Sequence, residues 1–403
     1  MPRPPRLPLL LSALVATFAT AARADAPVSP VPMIVVDKGT ISLLNKDGSR
    51  LLADCQVHRE IRMLSGPTRG TMLREQEPCY LSGLTVHPRT GRWAVGASIM
   101  NHTVRMTLGG REFVPPTDKT GRLKQGTFLV LGDRKGVVAV TSGNAETWTS
   151  NGKFISQSPM AFTEDGARVL VMTSNSSSCQ WWSWSFAPQP GGLRVLPPGV
   201  TDFSCNQVVA GEHRTVLKHP RDGVRIATLD PTGTKPWKVG RPLPQSRRKM
   251  NTALVLGDTM VFFREGLEYP EDGVGCDESK PGTYRRVELS TGEERVWHTL
   301  DGECYTGEFL MANARRRTVY FQNGRDRVDG GERLFEHDLE SDTTRELEIH
   351  SLYKVHDLSA DGRTLLLFTY DKGPVLYDVD SASVVEVGGS MSKDGEAKLL
   401  GSR

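Results

Sequence analysis

The sequence predicts an all-β chain built as a ring of small sheets, a β-propeller, and three observations carry that prediction. A short word recurs along the chain: an apolar strand end, a polar turn, often with Asp-Gly, then a β-rich run. Each copy is followed by a second hairpin, whose turn is made of Asp, Ser, Thr and Gly. No long amphipathic helical pattern occurs beyond the N-terminal segment.

The clearest copies are FTEDGARVLVMTS (162–174) and LSADGRTLLLFTY (358–370), with VHPRTGRWAVGAS (86–98) and VLGDRKGVVAVTS (130–142) as weaker ones. Aligned on their turns, the copies fall near residues 90, 135, 165, 212, 257, 315 and 361. Asp and Ser suit such turns because they bond back to the local backbone, and Gly takes positive φ without strain. With its second hairpin, each unit holds about four short strands. One such sheet cannot bury both faces, whereas a ring of them packs face to face and hides nearly all edges. Four-stranded units of roughly 40 to 50 residues therefore predict a propeller. The count predicts seven complete blades between residues 80 and 388, with eight as the alternative. Residues 33–79 then close the ring or form an irregular extra blade, residues 80–390 make up the propeller, and residues 391–403 form a C-terminal tail.

The repeat word resembles that of the TolB-like and WD-repeat-like propellers: a strand, then Ser or Pro, any residue, Asp-Gly, a basic residue and an apolar strand. Ser359-Ala360-Asp361-Gly362-Arg363 matches it closely, and Thr163-Glu164-Asp165-Gly166-Ala167 in part. The Trp-Asp dipeptide of true WD repeats is absent. The resemblance implies a fold and no activity.

The N-terminus predicts export. Arg3 and Arg6 precede an apolar run from about Leu9 to Ala19, and Ala22-Arg23-Ala24 supplies a small-x-small cleavage pattern. Residues 1–24 read as a signal peptide and residues 25–32 as a Pro-rich linker. No later stretch approaches the roughly 18 apolar residues of a membrane span. The expected location is periplasmic or extracellular. A formal net charge of +3 on 403 residues gives no reason to expect a nucleic-acid or membrane partner. The basic clusters Arg247-Arg248-Lys249 and Arg315-Arg316-Arg317 read as solvated loops.

Six cysteines in an oxidising compartment predict disulfides. Sequence alone leaves 15 pairings open. The spacing favours neighbours: Cys55 with Cys79, Cys179 with Cys205 and Cys276 with Cys304, one bridge in each of three units.

Residues 179–186, CQWWSWSF, concentrate three tryptophans in one predicted strand. Period-2 alternation puts Trp182, Trp184 and Phe186 on one face. Inter-blade core is the main reading, and stacking of a sugar or other ring on Trp181 or Trp182 is the functional alternative. The acidic loop 268–278 offers Glu271, Asp272 and Asp277 as possible calcium ligands, though without the DxDxDG spacing. No other cofactor is expected. GxSxG, HExxH and Walker patterns are absent. The expectation is a monomeric, non-catalytic binding or scaffold module for an envelope or extracellular protein or glycan. The alternative is a propeller hydrolase or lactonase whose acid and base residues come from several blades and meet at a channel mouth.

Overall fold

The computed structural model describes residues 29–99, 103–113, 126–141, 156–175, 178–186, 192–194, 204–205, 214–219, 223–228, 230, 238–243, 250–264, 282–300, 308–325, 331–388 and 391–401. These contain 31 strands in seven sheets, arranged as a β-propeller. Five consecutive sheets are regular blades, each a meander of four sequential strands. Their first strands are Ser156–Phe162, Ser204–Cys205, Met250–Leu256, Glu308–Asn313 and Leu352–Leu358.

The two remaining sheets depart from this pattern. The second sheet joins Tyr80–Val86, Trp93–Ile99, Gly126–Asp133 and Gly136–Thr141, with an excursion between its second and third strands. The first sheet has seven strands. Its hairpin of Met33–Asp37 and Thr40–Asn45 turns at Lys38 and Gly39, with φ of 44° and 76°. A Cβ at Gly39 would meet the Cys55 carbonyl oxygen at 2.7 Å, so only glycine fits there. The hairpin continues into Gly48–Arg62, a strand of 15 residues, which also pairs with Met72–Pro78 and Thr103–Leu108.

The expectation of seven complete units between residues 80 and 388 is thus corrected to five regular blades. The turn near residue 135 was counted as the start of a unit. It joins the third and fourth strands of the second sheet, Gly126–Asp133 to Gly136–Thr141. The short interval between residues 135 and 165 is the trace of that misreading. Residues 391–403, read as a tail, contain Glu396–Leu399, which pairs with Met33–Val36. The pairing covers a backbone edge that would otherwise be open.

Successive sheets pack on one another, and Leu352–Leu358 of the last sheet lies against Glu396–Leu399 of the first. The core therefore lies in the seams. Trp182, Trp184 and Phe186 pack with Ala94, Leu129 and Leu131 of the second sheet. This is the face the alternation predicts. Phe335 and Leu339 of the sixth sheet pack with Leu254, Leu256 and Val261 of the fifth.

The recurrent word builds the turn between the first and second strands of a blade. Asp361 Oδ1 accepts from the Ser359 hydroxyl at 2.6 Å and from the Arg363 N–H at 3.1 Å. Gly362 closes the turn with φ of 74°. In the third sheet Asp165 Oδ1 accepts from the Thr163 hydroxyl at 2.5 Å and from the Ala167 N–H at 2.9 Å, with Gly166 at φ 66°. These bonds hold the Asp165 and Asp361 carboxyls below the usual carboxylate range.

Candidate functional site

An open cleft of 670 Å³ lies where the first turn of the second sheet meets the first turn of the third. His87, Arg89 and Thr90 line one side, and Thr163, Glu164, Asp165 and Arg168 the other. His87 directly follows the strand Tyr80–Val86, and its ring lies against Phe162, centroids 5.9 Å apart. Its Nδ1 accepts the Thr90 N–H at 3.1 Å, so Nε2 carries the proton in the neutral ring and donates to the Glu164 carbonyl at 3.0 Å. Burial, with Arg89 and Arg92 nearby, lowers the His87 pKa. Arg92 donates to the Gly166 carbonyl at 2.7 Å, and Arg168 donates to the Ser183 hydroxyl at 2.7 Å. His87 and Arg92 therefore hold the second and third blades together, while Asp165 and Arg168 brace the third from within. Two side chains stand at the rim: Arg89, 66% exposed, whose guanidinium also donates to the Glu164 carbonyl across the seam, and Glu164, 90% exposed. Their charges lie 4.0 Å apart, so the cleft presents a paired charge to whatever enters it.

In the sequence the word VHPRTGRWAVGAS marks this turn as a repeat copy and carries no sign of the cleft. His87 occupies the place where other copies have an apolar or polar strand end. Asn313 of the sixth sheet does the same work, its Oδ1 accepting the Arg316 N–H at 2.8 Å. Arg316 then donates to the Gly362 carbonyl at 2.8 Å and to Asp380 at 2.9 Å. Arg317 donates to the Thr259 hydroxyl at 3.3 Å. The reading of Arg315-Arg316-Arg317 as a solvated loop is corrected for Arg316 and Arg317, which fasten seams. Arg247-Arg248-Lys249 lies outside the described residues.

A second polar row joins a hydroxyl, an imidazole and a carboxylate: Thr344, His337 and Asp342. His337 Nδ1 lies 2.9 Å from the Thr344 hydroxyl. Its Nε2 is 3.6 Å from Asp342 Oδ1, too long for a hydrogen bond. Asp342 also lies within 3.0 Å of Arg295 and 3.6 Å of Arg286. Burial pushes the His337 pKa down to about 4, well below the range that suits a general base at neutral pH. Trp297 stacks on the imidazole at 3.9 Å. The row is built as a clasp between the fifth and sixth sheets.

At the two seams that flank the first sheet, with the second sheet and with the last, charged side chains serve the backbone. Glu396 accepts from the N–H groups of Gly83 at 3.1 Å and Leu84 at 2.6 Å. Lys398 donates to the His356 carbonyl at 2.8 Å, and Asp357 accepts the Leu399 N–H at 2.7 Å. His356 is buried, and burial with the nearby Lys354 and Lys398 charges pushes its pKa down to about 3.

Trp181 and Trp182 are both buried. Neither offers the exposed ring face that stacking requires, so the stacking alternative gives way to core. Glu271, Asp272 and Asp277 lie outside the described residues, as do Cys276, Cys304 and the N-terminal 28 residues. Among the described residues, no group of three or more His, Cys, Asp or Glu is placed to hold a metal. No helix among them is long and apolar enough to cross a membrane. Cys55 and Cys79 form a disulfide with a Cα–Cα distance of 5.3 Å.

At the level of the fold the chain resembles TolB-like propellers. It is 14% identical to a protein assigned as TolB from Agrobacterium tumefaciens, covering 65% of this chain and 90% of that one, TM-score 0.40. The β-propeller domain of the Trilobed protease from Pyrococcus furiosus is 11% identical, covering 77% and 84%, TM-score 0.46. An oligogalacturonate lyase in complex with manganese is 15% identical over 57% of this chain, TM-score 0.39. This chain spans 64% of that lyase's length. No family model matches the chain, and no curated protein matches it. These likenesses concern architecture alone.

Proposed function

We propose that the chain is an exported, non-catalytic propeller that binds a protein or glycan, with the two irregular sheets completing its ring. One observation carries the reading. The histidine of the cleft between the second and third sheets is engaged in a seam hydrogen bond and the aspartate in the bonds of its own turn, while the Arg89 and Glu164 side chains stand exposed at its rim. Such a rim suits recognition of a polar partner more than proton transfer.

A thermal-shift screen of the oxidised protein against neutral and acidic glycans, lactones and calcium tests this. A ligand at a hundred times its dissociation constant adds roughly 2.7 kcal/mol of stability. The binding reading expects a shift with a glycan, or with a purified envelope protein, that Arg89→Glu or Glu164→Lys removes. The hydrolase or lactonase alternative calls for acid and base residues from several blades at a channel mouth, and it is probed at His337, the imidazole of the Thr344 and Asp342 row. Turnover of a lactone or ester that His337→Gln abolishes would establish that alternative in place of ours.

A further inference from the structure

Beyond residue 59 the first sheet is, among the described residues, a two-stranded ribbon. Gly48–Arg62 and Met72–Pro78 pair in unbroken register from Gln56 opposite Pro78 to Arg62 opposite Met72. The neighbouring strand Thr103–Leu108 accompanies them only as far as Arg59. The connecting loop is held by Met63 N–H to Thr71 carbonyl at 3.0 Å and Gly70 N–H to Met63 carbonyl at 2.8 Å. At the root, the Cys55–Cys79 disulfide and the Cys79 N–H to Cys55 carbonyl bond, 3.0 Å, tie the ribbon to the ring.

No side chain between residues 61 and 74 is buried, yet this tip carries Ile61, Met63, Leu64, Met72 and Leu73. Leu64 is 81% exposed, Met72 51% and Leu73 43%. The same stretch holds Arg62, Arg69 and Arg74 and no acidic residue, and Arg74 pairs with Glu60 just below it at 3.1 Å. Ile61 lies opposite Leu73 on one face, and Arg62 opposite Met72 on the other. Apolar groups thus project from both faces of a narrow, basic tip. A protein docking on one face would leave the other in water, whereas immersion in an apolar medium covers both.

We propose that the hairpin tip 61–74 docks into the surface of an anionic lipid bilayer. The apolar side chains enter the boundary between headgroups and acyl chains, and Arg62 and Arg69 meet lipid phosphates. The near-neutral charge of the whole chain conceals this local charge of Arg62 and Arg69.

Co-sedimentation of the full, disulfide-intact protein with vesicles tests the assignment. One set is phosphatidylcholine alone, and the other contains about one third phosphatidylglycerol to supply surface charge. The proposal expects binding to the anionic vesicles that weakens with added salt. The double variant Leu64→Ser with Leu73→Ser should bind about tenfold or more weakly. Arg62→Gln with Arg69→Gln should lose about fivefold per arginine and much of the salt dependence. These positions are exposed, and an unchanged unfolding midpoint confirms that each variant folds. Absence of wild-type binding to anionic vesicles, or equal binding by the variants, would overturn the proposal. So would a tip-dependent complex with a purified protein in the absence of any vesicle binding.

Discussion

Arg92 donates to the Gly166 carbonyl at 2.7 Å, joining the second sheet to the third through a glycine at φ 66°. Arg316 makes the same bond to Gly362, φ 74°, between the sixth and seventh sheets. Arg214 makes it to Gly257, φ 58°, between the fourth and fifth. The left-handed glycine turns its carbonyl toward the neighbouring blade, and the guanidinium meets it there. Arg92→Ala should cost about 1–3 kcal/mol, the range for a partly buried bond to a charged donor. A urea midpoint unchanged from wild type would show that this bond contributes nothing.

Gly166 tests the same seam from its other side. A Cβ there would meet His87 Nδ1 at 2.8 Å, in a backbone conformation that side chains avoid. Gly166→Ala should therefore destabilise by about 1–3 kcal/mol and disturb the cleft. Gly70, at φ 87° with nothing within 4 Å of an added Cβ, is the control for conformational cost alone. Gly70→Ala should be the milder change; equal losses would show that the His87 contact is immaterial.

Glu396 bridges two points far apart in sequence, since its carboxylate receives the N–H groups of Gly83 and Leu84. Glu396→Ala leaves both donors without it and should cost about 2–3 kcal/mol. Hydrogen exchange would then quicken first in Glu396–Leu399 and Met33–Asp37, the strands that close the first sheet. Uniform quickening throughout the propeller would contradict a local latch.

Stability should fall on acidification from pH 7 toward pH 4. His337 and His356 are neutral in the folded state, with pKa values of about 4 and about 3, chiefly through burial. In the unfolded chain each titrates near 6.5. The folded state thus binds fewer protons below that value, and stability is lost as pH drops through 6.5 toward the folded pKa. Each histidine contributes a slope of about 1.4 kcal/mol per pH unit within that window. The depressed carboxyls Asp165, Asp338 and Asp361 add to the loss below about pH 4. Urea titrations at pH 7.5, 6 and 5 check this, with His87, whose pKa is also lowered, adding in the same direction; His356→Gln should make the slope shallower, and a flat wild-type profile would refute it.

Reduction of the Cys55–Cys79 disulfide should lower stability by about 3 kcal/mol, the loop-closure effect for a loop of this order. Peptide mapping without reductant should recover that pair, and with it Cys179–Cys205 and Cys276–Cys304. A fragment joining Cys55 to Cys205 would remove the argument for one bridge per unit.

Local chemistry made much of the fold legible in the sequence. Asp165 with Gly166 and Asp361 with Gly362 announce their turns, because side chain and backbone are neighbours along the chain. Alternation in Trp182, Trp184 and Phe186 announces a buried face for the same reason. The turn at residues 133–136 was misplaced because any polar turn flanked by apolar strands carries the same word, whichever pair of strands it joins. The His87 cleft was missed because its two sides come from different blades, and only Thr90 of its partners is local.

By itself the sequence determined the strand periodicity, the turns, the repeating character of the chain and a resemblance to propellers, all of which depend on residues a few positions apart. Only the tertiary structure decided that Glu396–Leu399 belongs beside Met33–Asp37, that Arg316 fastens a seam, and that five sheets are regular while two are not. Those outcomes depend on contacts between blades. Gly83 meets Glu396 across 313 residues of chain, and no local pattern encodes a partner at that distance.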